Sequence, residues 1–178
     1  MTAVAPSPDA PVGRLVWALG LTQIIGYGSL YYSFAILAPA MAESIGRSQG
    51  WVFGALSFCL LAGSLVAPTA GRWADRFGAG RVMTAGSLAA ALSLTGCALA
   101  PNAATYIVGL LAMEISASFV LYSTAFVAVV QSGAPRPERS ITHLTLIAGF
   151  ASTLFWPLTA MLARASVLAG GLSGIRRA

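Results

Sequence analysis

The stretch GRWADRFGAGR, residues 71–81, concentrates charge in a chain that otherwise carries little of it. Only 8% of the 178 residues are charged, yet Arg72, Asp75, Arg76 and Arg81 fall within this short span, interleaved with glycines. Long apolar runs precede and follow it. A charged, glycine-containing segment between two apolar runs is typical of a loop at the surface of a membrane protein.

The composition around this stretch agrees with that interpretation. The chain is 57% hydrophobic with a mean hydropathy of +0.81, whereas soluble domains are about 45–50% apolar and about 25% charged. The net charge of +5 comes from arginines in the gaps between apolar runs, not from a basic face exposed to water. We therefore expect an integral membrane protein in contact with the lipid bilayer, and we expect no nucleic-acid partner.

Apolar runs of about 20 residues indicate transmembrane helices. The sequence predicts an all-α membrane protein whose helical bundle covers residues 15–162. A disordered cytoplasmic tail is predicted before it, over residues 1–14, and an irregular C-terminal tail after it, over residues 163–178. About five transmembrane helices are predicted, near residues 15–41, 51–71, 82–100, 104–130 and 141–162.

The placement of arginine orients these helices, because loops on the cytoplasmic side are enriched in Lys and Arg. If the N-terminus is cytoplasmic, Arg47 is the one arginine in an outer loop before the end of the fifth helix. We predict a multi-pass protein of a bacterial plasma (inner) membrane with its N-terminus in the cytoplasm. The arginines predicted to lie inside are Arg14, Arg72, Arg76, Arg81, Arg136 and Arg139.

The charged stretch resembles a loop signature of the major facilitator superfamily of secondary transporters, G-x-L-A-D-R-x-G-R-R-x-x-L. Trp73 replaces the usual aliphatic residue, and Ala79 and Gly80 stand where basic residues are common. The resemblance implies the N-terminal half of that family's fold and the movement of a small solute, with H⁺ or another ion as a coupling partner. The positions that match are Gly71, Ala74, Asp75, Arg76 and Gly78, with Arg81 as a later basic residue.

The resemblance also implies a role for the loop. In the family, this aspartate belongs to a cytoplasmic latch that holds two halves together in the outward-facing state. Gly71 is expected to let the second helix end against a neighbour, and Gly78 to permit a turn with positive φ. Asp75 can cap a helix start or pair with an arginine. The alternative is that these are ordinary positively charged residues of a short cytoplasmic loop.

Glu114 is the one acid well inside an apolar run. A charged side chain at the bilayer centre costs about 2.5–3.5 kcal/mol on insertion scales, so it needs a cavity, a partner or a proton. We expect a protonatable site for substrate or for H⁺ coupling. The alternative is a residue near the outer third of the membrane that snorkels to the interface or stays neutral beside Ser116 and Ser118. The family often carries an arginine in the fourth helix, and this run has none, so no role of that arginine transfers.

A polar stripe on the first predicted helix completes the candidate solute path. Gln23, Tyr27 and Tyr31 are spaced by four and so share one helix face. In the family, the first and fourth helices line the central path, and Tyr122 adds a polar group to the fourth. This stripe could bind solute by hydrogen bonds, or it could hold helices together, and Tyr31 could belong to an interfacial aromatic belt.

Other chemistry has no support in the sequence. No metal-ligand spacing, nucleotide-binding loop or catalytic motif is present, so we expect no enzyme, no cofactor and no metal. Cys59 and Cys97 fall within apolar runs and are interpreted as small buried hydrophobes, with a disulfide as the alternative. His143 is interpreted as an interfacial residue near the cytoplasmic surface.

Five helices are fewer than the six in one half of a major facilitator transporter. The tail after residue 162 is rich in Gly and Arg, and a forward shift of the reading frame can spell a continuation like that of the family. We therefore expect an N-terminal fragment that is inactive alone. The alternatives are a non-transporting remnant or membrane scaffold, and a half-transporter that needs a second chain or copy.

Overall fold

The computed structural model describes the backbone of residues 10–175 and the side chains of residues 12–165. Every regular element in this part of the chain is helical. The first three are continuous, with a π-helical turn between two α-helices. In chain order the elements are α1 (Ala10–Tyr27), the π turn (Gly28–Tyr32), α2 (Ser33–Ser44), α3 (Gln49–Phe77), α4 (Ala79–Ala98), α5 (Ala103–Ser118), α6 (Tyr122–Gln131) and α7 (Pro137–Ile175).

The elements pack as a bundle that is long and apolar enough to span a membrane. Helix α1 packs along α7, and α5 packs along both α3 and α4. Four helical stretches meet the length and hydropathy of a membrane span, which confirms the all-helical, membrane-compatible class. Helix α4, one of the five predicted spans, is not among them; it is rich in Gly, Ser and Thr and carries Arg81. The four stretches are Val12–Ser44, Gln49–Phe77, Ala103–Gln131 and Pro137–Ala165.

Both predicted tails are partly helical. Helix α1 begins at Ala10 instead of residue 15, with Pro11 in its first turn, where a missing N–H removes no helical hydrogen bond. Helix α7 continues from Pro137 to Ile175, past the predicted end at residue 162. Residues 163–169 consist mainly of Ala, Leu and Arg, which favour helix, so the chain does not become irregular there. Residues 1–9 and 176–178 lie outside the described backbone.

The predicted loop over residues 71–81 is nearly all helix. Helix α3 does not end at Gly71 but runs on to Phe77, and α4 begins at Ala79. Gly71 touches no other helix, because a Cβ placed on it would meet nothing within 4 Å. Gly78 alone separates the two helices, with φ of +88°, which confirms the positive φ predicted for it. The charged stretch is therefore a sharp helix-to-helix corner.

Small residues bring α3 and α5 close together. A Cβ on Gly63 would lie 2.9 Å from the carbonyl oxygen of Glu114, so the two backbones are nearly in contact there. Helices in lipid associate through such close packing, because lipid tails give them no hydrophobic drive to associate. Cys59, which is buried, and Cys97, which is half-buried, are both free thiols, as predicted.

Candidate functional site

A groove of about 210 Å³ runs between α1 with its π turn, α3, and the junction of α5 and α6. It brings together four of the five residues predicted to form the solute path, and Gly63 and Ser118 lie beside them. We call this feature the carboxylate groove. The four are Tyr27, Tyr31, Glu114 and Tyr122.

Glu114 is the one residue with a carboxyl side chain in the described lining of the carboxylate groove. Its side chain is 2% exposed, and its Oε2 accepts a hydrogen bond of 2.8 Å from the phenol of Tyr31. Its Oε1 is buried and has no hydrogen-bond partner among the described residues. A buried carboxyl group with one oxygen unpaired carries a large desolvation cost, so this oxygen is an unsatisfied polar atom beside the groove.

The contact with Gly63 gives the depth of Glu114 in the bundle. Gly63 is the central residue of the 29-residue helix α3, and the backbone of Glu114 packs against it. If α3 crosses the membrane, its centre lies near the bilayer midplane. Glu114 then lies near the midplane too, deeper than the outer-third position of the alternative interpretation.

Three tyrosine rings form an aromatic wall along the carboxylate groove. The ring centroids of Tyr27 and Tyr122 are 4.8 Å apart, and those of Tyr27 and Tyr31 are 5.8 Å apart. The π turn helps to place them, since the N–H of Ser33 bonds back to the carbonyl of Gly28 in the wider i to i+5 pattern. Tyr27 and Tyr31 thus stay on one helix face, and Tyr27 contacts Tyr122 at the start of α6.

Gln23 lies next to the carboxylate groove but does not line it. Its side chain is 0% exposed, and its Nε2 donates a 3.0 Å hydrogen bond to the carbonyl of Val120. Its Oε1 is buried and has no partner within the described residues. Gln23 thus joins α1 to the segment between α5 and α6, so this part of the polar stripe holds helices together. Tyr27 and Tyr31 line the groove.

The fourth predicted helix, near residues 104–130, contains a break that was not predicted from the sequence. Helix α5 ends at Ser118 and α6 begins at Tyr122, where one continuous helix had been predicted. The side-chain hydroxyls of Ser123 and Thr124 donate to the carbonyl of Ser118 at 3.0 and 3.2 Å. Hydroxyl side chains compete with the backbone for such bonds, so the Ser and Thr residues around the break were the signal that could have indicated it.

The charged corner lies apart from the carboxylate groove. Asp75, Arg76 and Arg81 are all exposed. Asp75 does not cap α4, because α3 continues past it and the N-cap position is Gly78. Within residues 12–165, the side chain of Asp75 makes no hydrogen bond and no ion pair with an arginine. The guanidinium of Arg76 lies 5.3 Å from the ring centroid of Phe77.

Gln131 holds this corner in place and was not singled out from the sequence. Its Oε1 accepts the backbone N–H of Ala79 at 3.0 Å, and its Nε2 donates to the carbonyl of Ala74 at 2.9 Å. One side chain therefore satisfies an unpaired donor at the start of α4 and an acceptor near the end of α3. Because Gln131 ends α6, the corner and the α6–α7 connection lie at the same end of the bundle.

Basic side chains lie away from the carboxylate groove, none of whose described lining residues is Arg, Lys or His. Arg136, Arg139 and His143 instead line a separate cavity of about 500 Å³ beside Trp17 and the start of α1. The residues whose side chains are described include no group of three or more His, Cys, Asp or Glu placed to hold a metal ion.

Comparison of the chain with protein-family models, with curated proteins and with solved structures finds no match. The fold and the geometry of the carboxylate groove are therefore the basis for assigning a function.

Proposed function

We propose that this chain is the solute-binding, membrane-embedded part of a secondary transporter of the major facilitator type, corresponding to its N-terminal half. The observation that carries the proposal is Glu114, which is buried deep in the bundle with one unpaired oxygen beside a groove. An ionisable residue inside a membrane bundle typically marks a solute or ion path. The transported species is a small solute, moved down its own gradient or coupled to H⁺ or another ion.

The backbone beside Glu114 supports the same assignment. Secondary transporters bind their substrates near the bilayer midplane, at helices that are broken there. Irregular backbone at membrane depth is tolerated where it is buried in protein or lines a cavity. The break between α5 and α6 has both properties, because Leu121 and Tyr122 line the carboxylate groove while Gln23 and Thr124 satisfy carbonyls of the break.

The charged corner is the proposed latch surface of this unit. Gly71, Asp75, Arg76, Gly78 and Arg81 keep the family's order, and the three charged side chains are exposed. The side chain of Asp75 has no partner among residues 12–165, so it is free to contact a second half. We propose that α4 also crosses the bilayer, which gives five spans with a cytoplasmic N-terminus in a bacterial inner membrane. Its 20 residues correspond to about 30 Å, the thickness of the hydrocarbon core.

A ligand screen on the purified full chain tests the proposal. Thermal unfolding would be followed in detergent with a set of small solutes, for the wild type, Glu114→Gln and the matched control Glu43→Gln, whose side chain is exposed. A ligand that binds only the folded state raises its stability by about 2.7 kcal/mol at a hundredfold excess over Kd. We expect at least one solute to stabilise the wild type and Glu43→Gln but not Glu114→Gln. The proposal fails if no solute does so.

Uptake of such a solute into proteoliposomes separates the remaining possibilities. A fragment that lacks its partner half binds the solute and does not transport it. Saturable uptake by this chain alone would instead support a half-transporter that assembles with a second copy. A chain that neither binds nor transports any solute would support the remnant or scaffold.

A further inference from the structure

We infer that the solute recognised by the carboxylate groove is a small organic cation of the ammonium class. The inference rests on the proposed function, since it names the substrate class of the same site. It is carried by three observations: an isolated carboxyl group with a free oxygen, an aromatic wall beside it, and a lining without basic side chains.

The charge of the groove favours a cation. Oε2 of Glu114 is occupied by the phenol of Tyr31, and Oε1 has no partner among the described residues. None of the described lining residues carries a positive charge that could pair with this carboxyl group or with an anionic solute. Interactions between charges strengthen in a low-dielectric interior, so the ionised carboxylate discriminates in favour of a positively charged ligand and against a negatively charged one.

The aromatic wall favours an organic cation over a metal ion. Tyr27, Tyr31 and Tyr122 all line the groove, and their rings are packed in two contacts. An ammonium group within about 6 Å of an aromatic ring centroid is attracted by the negative ring face. Metal ions such as Ca²⁺ and Mg²⁺ instead require several oxygen ligands around them, and Glu114 is the one carboxylate in the described lining.

The size of the groove limits the cation. Pockets for drug-sized ligands measure about 300–1,000 Å³, and this groove measures about 210 Å³. A small alkylammonium head group is therefore the expected ligand, with its nitrogen between Glu114 and the tyrosine rings.

Choline and its neutral isostere 3,3-dimethyl-1-butanol test the inference, because they share a shape and differ in charge. The full chain would be purified in dodecyl maltoside, a detergent with no charge and no choline head group. Equilibrium dialysis would measure the binding of radiolabelled choline, with tetramethylammonium and ethylammonium as competitors. We expect saturable choline binding, displacement by at least one competing ammonium ion, and no displacement by a tenfold excess of the isostere.

Two variants connect the binding to the site. Glu114→Gln is expected to weaken choline binding tenfold or more, and Glu43→Gln is expected to leave it unchanged. The inference is overturned if the isostere displaces choline, if Glu114→Gln binds choline as the wild type does, or if none of the three ammonium ions binds. The isostere comparison uses the wild-type chain, so it remains decisive if Glu114→Gln fails to fold.

The outcomes also distinguish this inference from the proposed function. Binding of a neutral or anionic solute that depends on Glu114 would overturn the cation assignment and leave the transporter proposal intact. Binding of an ammonium ion by a chain that moves no solute in any assembly would support the cation assignment and contradict the transporter proposal.

Discussion

The phenol of Tyr31 donates a hydrogen bond of 2.8 Å to Oε2 of Glu114, which lies 83 positions further along the chain. The bond joins the π turn after α1 to α5, and it pairs one of the two oxygens of a carboxyl group that is 2% exposed. The other oxygen has no partner among the described residues. Glu114 therefore makes one structural contact through Oε2 and keeps one buried, unsatisfied oxygen beside the groove.

Removal of the phenolic hydroxyl of Tyr31 tests whether its hydrogen bond to Glu114 stabilises the folded chain. Tyr31→Phe keeps the ring but leaves both oxygens of Glu114 unpaired, so we expect the free energy of unfolding to fall by about 1–3 kcal/mol. Tyr32→Phe is the matched control, because within residues 12–165 the neighbouring phenol makes no side-chain hydrogen bond. Equal unfolding midpoints for the two variants in detergent would show that the bond contributes nothing.

The close approach of α3 and α5 predicts a strong size limit at Gly63. Gly63→Val places atoms against the carbonyl of Glu114, which is backbone and cannot rotate away, so we expect a loss of about 1–3 kcal/mol. Gly71→Ala in the same helix meets nothing within 4 Å and is expected to be neutral or stabilising by up to about 1 kcal/mol. Unfolding of both variants in one detergent measures the difference, and a destabilised Gly71→Ala would contradict the helical path through residue 71.

The two hydrogen bonds of Gln131 predict that two variants of this residue lower the free energy of unfolding by different amounts. Gln131→Ala removes both and is expected to cost about 1–3 kcal/mol, at about 0.5–1.5 kcal/mol for each bond. Gln131→Glu retains an acceptor for the N–H of Ala79 and loses the donor to Ala74, so an intermediate cost is expected. Hydrogen exchange at the Ala79 amide should accelerate in the alanine variant alone. Acceleration of similar size in both variants would contradict the assignment of the Oε1 contact.

The arginine distribution predicts the orientation of the bundle in the membrane. Arg47→Cys should react with a membrane-impermeant maleimide in intact spheroplasts, whereas Arg81→Cys should react only after permeabilisation. The wild-type chain is the control, because Cys59 is buried and Cys97 half-buried in apolar helices. The opposite pattern of labelling would contradict the predicted topology and indicate the inverse orientation in the membrane.

The sequence allowed the class of the fold to be predicted, and it singled out four residues that line the carboxylate groove. Apolar runs indicate helices through composition alone, and the spacing of Tyr27 and Tyr31 predicted the shared helix face from which both line the groove. The ends of the helices were less predictable, because the charged residues after Gly71 are compatible with helix as well as with a loop. The break after Ser118 and the contacts of Gln131 depend on partners far along the chain, which a local pattern does not contain.

Carbodiimide labelling of Glu114 tests most directly the central claim, that a carboxyl group deep in the membrane lies beside a solute groove. The full chain in proteoliposomes would be treated with apolar dicyclohexylcarbodiimide or with a water-soluble carbodiimide, and modified residues would be located by mass spectrometry. We predict that the apolar reagent modifies Glu114, that a bound solute slows this reaction, and that the water-soluble reagent modifies Glu43, Asp75 and Glu138 instead. Modification of Glu114 by the water-soluble reagent as fast as Glu43, or its failure to react with the apolar one, would contradict the account.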